Sequence, residues 1–148
     1  MRQGIQQIGV EYFSRVARKV FSSWLATVGM HEREVTPRGG LRFHRRNVFL
    51  DITYYPEDCP DYSAMVNLGV TDADGASQAE VSFGLWLVIP EDVIERRYSL
   101  WTFSSEEEAL VVMKRVRDRV VKQYLPPLLD DEKRIRELSE KALRLAGG

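Results

Sequence analysis

The chain has 148 residues, 44% of them hydrophobic and 29% charged, with a formal net charge of −1. That composition suits one globular domain burying roughly 70% of its unfolded surface, and it excludes a disordered, collagen-like or disulfide-stapled chain. Cys59 is the one cysteine, no apolar run approaches the ~20 residues of a membrane span, and no long apolar core follows Met1, so a cytoplasmic protein is expected.

The near-zero net charge hides a basic–acidic–basic layout. Residues 1–46 carry nine basic side chains against three acidic, and 96–148 carry twelve against nine. Residues 47–95 carry ten acidic side chains and no lysine or arginine. The acidic third is also the third with strand-like patterning, while both basic thirds read largely as helix. Such a layout can select and orient partners.

In chain order, three- and four-residue spacing predicts a helix over about 6–28, with Tyr12, Phe13, Val16, Ala17, Val20, Phe21, Trp24, Leu25 and Val28 on its apolar side. Gly29 is a natural C-cap. Residues 30–40 read as a polar connector broken by Pro37 and Gly39-Gly40. Strands are predicted at 41–45, 48–55, 64–71, 79–89 and about 97–103, with Arg46-Asn47 as a tight turn and Asp72-Ala73-Asp74-Gly75 as a hairpin. Short links between successive strands favour an antiparallel meander.

Ser104 with Glu107, or Ser105 with Glu108, forms a capping box that opens a second helix. Its stripe is Ala109, Val112, Met113, Val116, Val120 and Tyr124, and Pro126-Pro127 ends it. A last helix over about 128–145 has a thin seam of Leu128, Ile135, Leu138, Ala142 and Leu145, interrupted by Asp131. The expected fold is therefore one α+β domain over 1–148. It has an N-terminal helix, an antiparallel meander of four to five strands, and two C-terminal helices packed on the sheet.

Strand parity assigns two faces. Val48, Leu50, Ile52 and Tyr54 share an aliphatic face with Ala64, Val66, Leu68, Val70, Val81, Phe83, Leu85 and Leu87. The second face carries Phe49, Asp51, Thr53, Tyr55, Met65, Asn67, Gly69, Ser82, Gly84, Trp86 and, less directly, Trp101. It is either covered, used between copies, or open to a ligand. In the ligand reading, Tyr55, Trp86 and Trp101 are walls, Asp51 or Asn67 is the polar anchor, and Phe49 completes the ligand-binding set. The meander also gathers Glu57, Asp58, Asp61, Glu91, Asp92 and Glu95 at one end of the sheet.

Chemistry is thinly signalled. His31, His44 and Cys59 lack the count and spacing of a zinc site, so neither metal nor cofactor is expected. Acidic neighbours raise the Cys59 thiol pKa and blunt it as a nucleophile. No phosphate-binding loop is present. His44 with Asp51 on neighbouring strands is the one acid–base pairing available, against the plainer reading of a surface contact. Arg38, Arg42, His44, Arg45 and Arg46 around Phe43 form a basic cluster of the kind that grips phosphate, but the net charge lends it no supporting field and nucleic acid is not expected.

The Phe21…Leu25…Gly29-Met30 helix exit, the Leu41-Arg42-Phe43-His44-Arg45 strand and the Trp101-Thr102-Phe103-Ser104-Ser105-Glu106-Glu107-Glu108 helix entry resemble small uncharacterised bacterial α+β domains. Some of these are grouped with immunity proteins of toxin systems. The resemblance spans most of the chain as fold-level patterning, implies a non-catalytic protein-binding role, and carries over no functional residue.

The functional expectation is a non-catalytic cytoplasmic module, self-associating and engaging a protein partner through segregated charge. Its surfaces are Arg38, Arg42, Arg45 and Arg46 on one side and Glu57, Asp58, Asp61, Glu91 and Asp92 on the other. A small-ligand binder using the second sheet face is the alternative.

Overall fold

Apolar residues at helical spacing produce the first element, α1 (Val10–Thr27). The computed structural model describes residues 10–35, 40–55, 62–71, 80–92, 100–103 and 105–147. Phe13, Val16, Ala17, Val20, Phe21 and Leu25 are buried on the inner side of α1. The helix closes in a Schellman turn. Met30 N–H donates to Leu25 O at 2.9 Å and Gly29 N–H donates to Ala26 O at 3.1 Å, with Gly29 at φ 83°. Met30 is fully buried and pins this exit to the core.

The segment after α1 is more than a connector. His31–Val35 forms strand β1, antiparallel to β2 (Leu41–Arg45). Four of its five side chains are polar, so it shows no alternation; an edge strand can form without a continuous buried face. A register shift between Glu32 and Glu34 bulges the strand. Arg18 of α1 holds Glu32 by two hydrogen bonds, 2.6 and 2.8 Å long. That contact lowers the Glu32 pKa below its ordinary value, through the hydrogen bonds first and against the opposing effect of burial.

The other strands are β3 (Val48–Tyr55), β4 (Tyr62–Thr71), β5 (Glu80–Gly84) and β6 (Leu100–Phe103). The order is β1-β2-β3-β4-β5, every pair is antiparallel, and β6 also pairs with β4. This is the α+β meander that the short links imply. The Arg46-Asn47 turn is as tight as expected and holds Arg46 at φ 57°.

Register sorts the faces as parity requires. Val48, Leu50 and Ile52 lie opposite Val70, Leu68 and Val66, and Leu68 and Val70 lie opposite Phe83 and Val81. Leu41 and Phe43 join these rows from β2. All are buried except Val81, near the open edge.

The fourth predicted strand is shorter than its sequence suggests. Residues 79–89 look continuous, but β5 stops at Gly84 and Leu85–Val88 form a 3-10 turn. The cause is competition for one edge. Gly84 lies opposite Asn67 and Leu100 lies opposite Met65, so β5 and β6 sit end to end along β4. The chain leaves this edge at its middle and returns at its middle. Glu91 and Asp92 form an exposed turn on that excursion, and Glu95 lies outside the described residues. Leu85 and Ile89 are buried and anchor the first part of the excursion.

Ser105 caps the second helix, its Oγ accepting from Glu108 N–H at 3.1 Å. This helix, α2, runs as Glu106–Val116, passes through a π-helical turn at Arg117–Val121 and ends as Lys122–Tyr124. The wider turn lets the adjacent Val120 and Val121 both be buried. A 3-10 turn at Pro126–Leu128 leads to α3 (Glu132–Gly147). Asp131 is not a flaw in the seam of α3 but its cap, with Oδ1 accepting from Arg134 N–H at 3.1 Å. The three helices bury their stripes in one core with the aliphatic sheet face, except that Leu145, near the end of α3, is 60% exposed. Among the described residues, no helix is long and apolar enough to cross a membrane.

Candidate functional site

The face away from the core is organised in rows. One runs Arg42, Asp51, Asn67, Gly84 across four strands, and the next runs His44, Phe49, Gly69, Ser82. Arg42 lies over both. Its Nε and Nη2 donate to Asp51 Oδ1 and Oδ2 at 2.7 and 2.8 Å. Its Nη1 and Nη2 donate to Glu80 Oε2 and Oε1 at 2.6 and 3.2 Å. Asp51, through its hydrogen bonds, is the main cause of an Arg42 pKa raised above its ordinary value.

Beneath the guanidinium lies Phe49, whose ring centre is 3.9 Å from Arg42 Cζ. The ring fits because Gly69 stands opposite it. A Cβ at Gly69 would come within 2.5 Å of Phe49 Cζ and 2.8 Å of Ser82 Cβ, and it would also meet the Val81 carbonyl oxygen. Phe49 is consequently 1% exposed despite facing away from the core.

This clasp changes how the charge layout is understood. Arg42, from the basic third, binds Asp51 and Glu80, from the acidic third, so part of the segregation is spent inside the sheet. Arg45 meets Asp130, from the C-terminal third, at 2.9 Å. With Arg46, Leu129 and Glu132 these two border a hollow of ≈ 60 Å³, room for a water or two. Arg46, Glu91 and Asp92 are exposed, whereas Arg38, Glu57, Asp58 and Asp61 lie outside the described residues.

The aromatic-face residues are only partly brought together. Phe49 and Asp51 are engaged in the clasp, with both Asp51 oxygens accepting from Arg42, and register sets His44 opposite Phe49 and not Asp51. Asn67 comes next in the row, with Nδ2 3.5 Å from Thr53 Oγ1. Trp86 lays its indole against Gly84. Tyr55 and Trp101 are placed by register alone. Tyr55 shares the parity of Asp51, but Trp101 lies opposite Ala64, which lies opposite Tyr54.

A cleft that the sequence reading missed lies between β5 and α3. Glu80, Val81, Ser82, Phe83 and Gly84 line one side, with Asn67 behind, and Ser139, Ala142, Leu143 and Ala146 line the other, around a volume of ≈ 410 Å³. Small side chains make the hollow. Val81 and Leu143 stand at its margin, 36% and 73% exposed. Its sequence signal was Ser139 and Ala146, which broaden the seam read from Ile135, Leu138 and Ala142. Arg136 Nη2 donates to Thr71 O at 3.4 Å and ties α3 to the end of β4.

The cleft offers a hydroxyl, an amide and apolar surface, with its one carboxylate, Glu80, already held by Arg42. That set suits binding more than proton or group transfer. Among the described residues, no three His, Cys, Asp or Glu side chains gather as metal ligands would. No protein family matches the chain, and no curated protein or solved structure is significantly similar to it.

Proposed function

We propose that this protein is a non-catalytic binding module that takes another polypeptide at the cleft between β5 and α3. The observation that carries this reading is the exposure of Val81 and Leu143 beside a hollow floored by small residues. Apolar surface gains roughly 25 cal/mol per Å² on leaving water, so a complementary surface that closes over this margin is favoured. A small molecule is a poorer fit, because ligand pockets bury about 70–90% of their occupant and this cleft is open along one side. Exposed Arg46 and Asp92 can steer an approaching partner, raising its rate of encounter more than its affinity.

A reducing, cytoplasmic setting belongs to the same proposal and rests on the single Cys59. The resemblance to immunity-type bacterial domains supports docking to a protein but names no residue.

The test is a comparison of three immobilised baits: the wild type, Leu143→Arg in the cleft, and Val111→Arg on α2. Val111 is 64% exposed and does not line the cleft. Proteins retained by the wild type and Val111→Arg, but lost with Leu143→Arg, support the reading. Identical retention by all three baits refutes it.

A further inference from the structure

The two edges of the sheet are finished differently, and the difference identifies a way of docking. Strand β1 is guarded by a bulge, by the exposed charged residues Glu32 and Arg33, and by α1 packed against it. Such devices keep a free edge from pairing with another chain. Strand β5 has no described bulge, and its one charge, Glu80, is drawn over the sheet by Arg42. Glu80, Val81 and Ser82 are all exposed.

The backbone of β5 is also directed outward. Thr71 N–H donates to Asn47 O at 2.9 Å, so Thr71 points toward β3. Alternation along an antiparallel ladder then turns Val70 and Leu68 toward β5, where they face Val81 and Phe83. The N–H and C=O groups of Glu80 and Ser82 therefore point away from β4. Among the described residues, no hydrogen bond reaches them.

Resting on the reading of the cleft as a docking site, we infer that its occupant is β5 of a second copy of this chain, joined edge to edge and antiparallel. Charge and register suit this occupant. Centred on Ser82, the pairing sets Ser82 against Ser82 and Val81 against Phe83. Each Glu80, hydrogen-bonded to Arg42, stands against an uncharged Gly84, so no two carboxylates oppose each other. The central Ser82 pair exchanges two N–H···O bonds, and Gly84 N–H reaches the Glu80 carbonyl on either side. Leu143 and Ala146 of each α3 then lie beneath the added strand.

A five-residue strand is only about 17 Å long, so the contact falls short of the roughly 1,600 Å² of a standard interface. The dimer is accordingly weak and reversible, with a dissociation constant on the order of 10–100 μM.

Sedimentation velocity from about 1 to 500 μM spans that range and reads the dimer directly. Amide exchange of Ser82, at low and high concentration, reads the strand pairing. Ser82→Pro removes an outward N–H without touching the β4 ladder and should raise the dissociation constant roughly 100-fold. Val81→Lys, which leaves the backbone intact, should weaken the dimer at least about tenfold. A concentration-dependent dimer with Ser82 protection, weakened by both variants, is the expected result.

A wild type that stays monomeric at the highest concentration overturns the inference while leaving the cleft free for another polypeptide. A dimer that Leu143→Arg breaks but in which Ser82 gains no protection overturns strand pairing alone. A dimer untouched by Ser82→Pro, Val81→Lys and Leu143→Arg overturns both the pairing and the choice of surface.

Discussion

Replacing Gly69 by alanine probes the packing of the second sheet face with a single methyl group. The added Cβ would stand 2.5 Å from Phe49 Cζ and 2.8 Å from Ser82 Cβ, and would press on the Val81 carbonyl oxygen. Two of these obstacles are a buried ring and a paired backbone, so neither can yield as a flexible side-chain tip would. Overpacking of this kind costs about 1–3 kcal/mol, and the lower unfolded-state entropy of alanine returns roughly 0.5–1 kcal/mol. A net loss of about 1 kcal/mol is expected. In urea, with m on the order of 2 kcal/mol per M, the midpoint should fall by about 0.5 M.

Phe49→Leu removes the ring atom in conflict, so the double variant should recover at least about 0.5 kcal/mol relative to additivity. Equal or greater stability of Gly69→Ala would refute the account of the hollow. A double-mutant cycle with no coupling would show that the ring does not occupy it.

Three further outcomes follow from the same contacts. Arg42→Leu leaves Asp51, at 16% side-chain exposure, without its cation and should cost about 2–3 kcal/mol in urea unfolding, of which adding Asp51→Asn should restore a measurable part. Arg46→Gly relieves a positive φ of 57° and should raise the thermal midpoint, by up to about 1 kcal/mol of stability, with a fall counting against strain at that turn. The Arg18–Glu32 contact holds the Glu32 pKa below its ordinary value. Its contribution is therefore full above the ordinary glutamate range and fades as pH falls through the lowered value. The stability gap between wild type and Glu32→Gln should close on acidification and stay below about 1 kcal/mol, because both side chains are partly exposed.

Much of this fold could be read from alternation and spacing. The rows Val48–Val70, Leu50–Leu68 and Ile52–Val66 form because a one-residue slip would turn every apolar side chain outward. Gly29, Ser105 and the Arg46-Asn47 turn act locally and could be recognised locally. Strand β1 was hidden because its polar side chains show no two-residue alternation, and β5 ended early because another segment takes its place on β4.

The site was harder to see for a related reason. Arg42 reaches Glu80, far along the chain, across the ring of Phe49, and no sequence window contains all three. The cleft depends on two distant elements that each contribute small residues, an absence of bulk that carries little signal in either one alone.

The end-to-end placement of β5 and β6 has a consequence for how this architecture can change. Because both halves of that edge are set by β4, the stretch joining them does not dictate the register of either. Leu85 and Ile89 secure its beginning within the interior. At exposed Pro90, Glu91 and Asp92 an insertion or a grafted recognition segment could be accommodated without shifting a single ladder position.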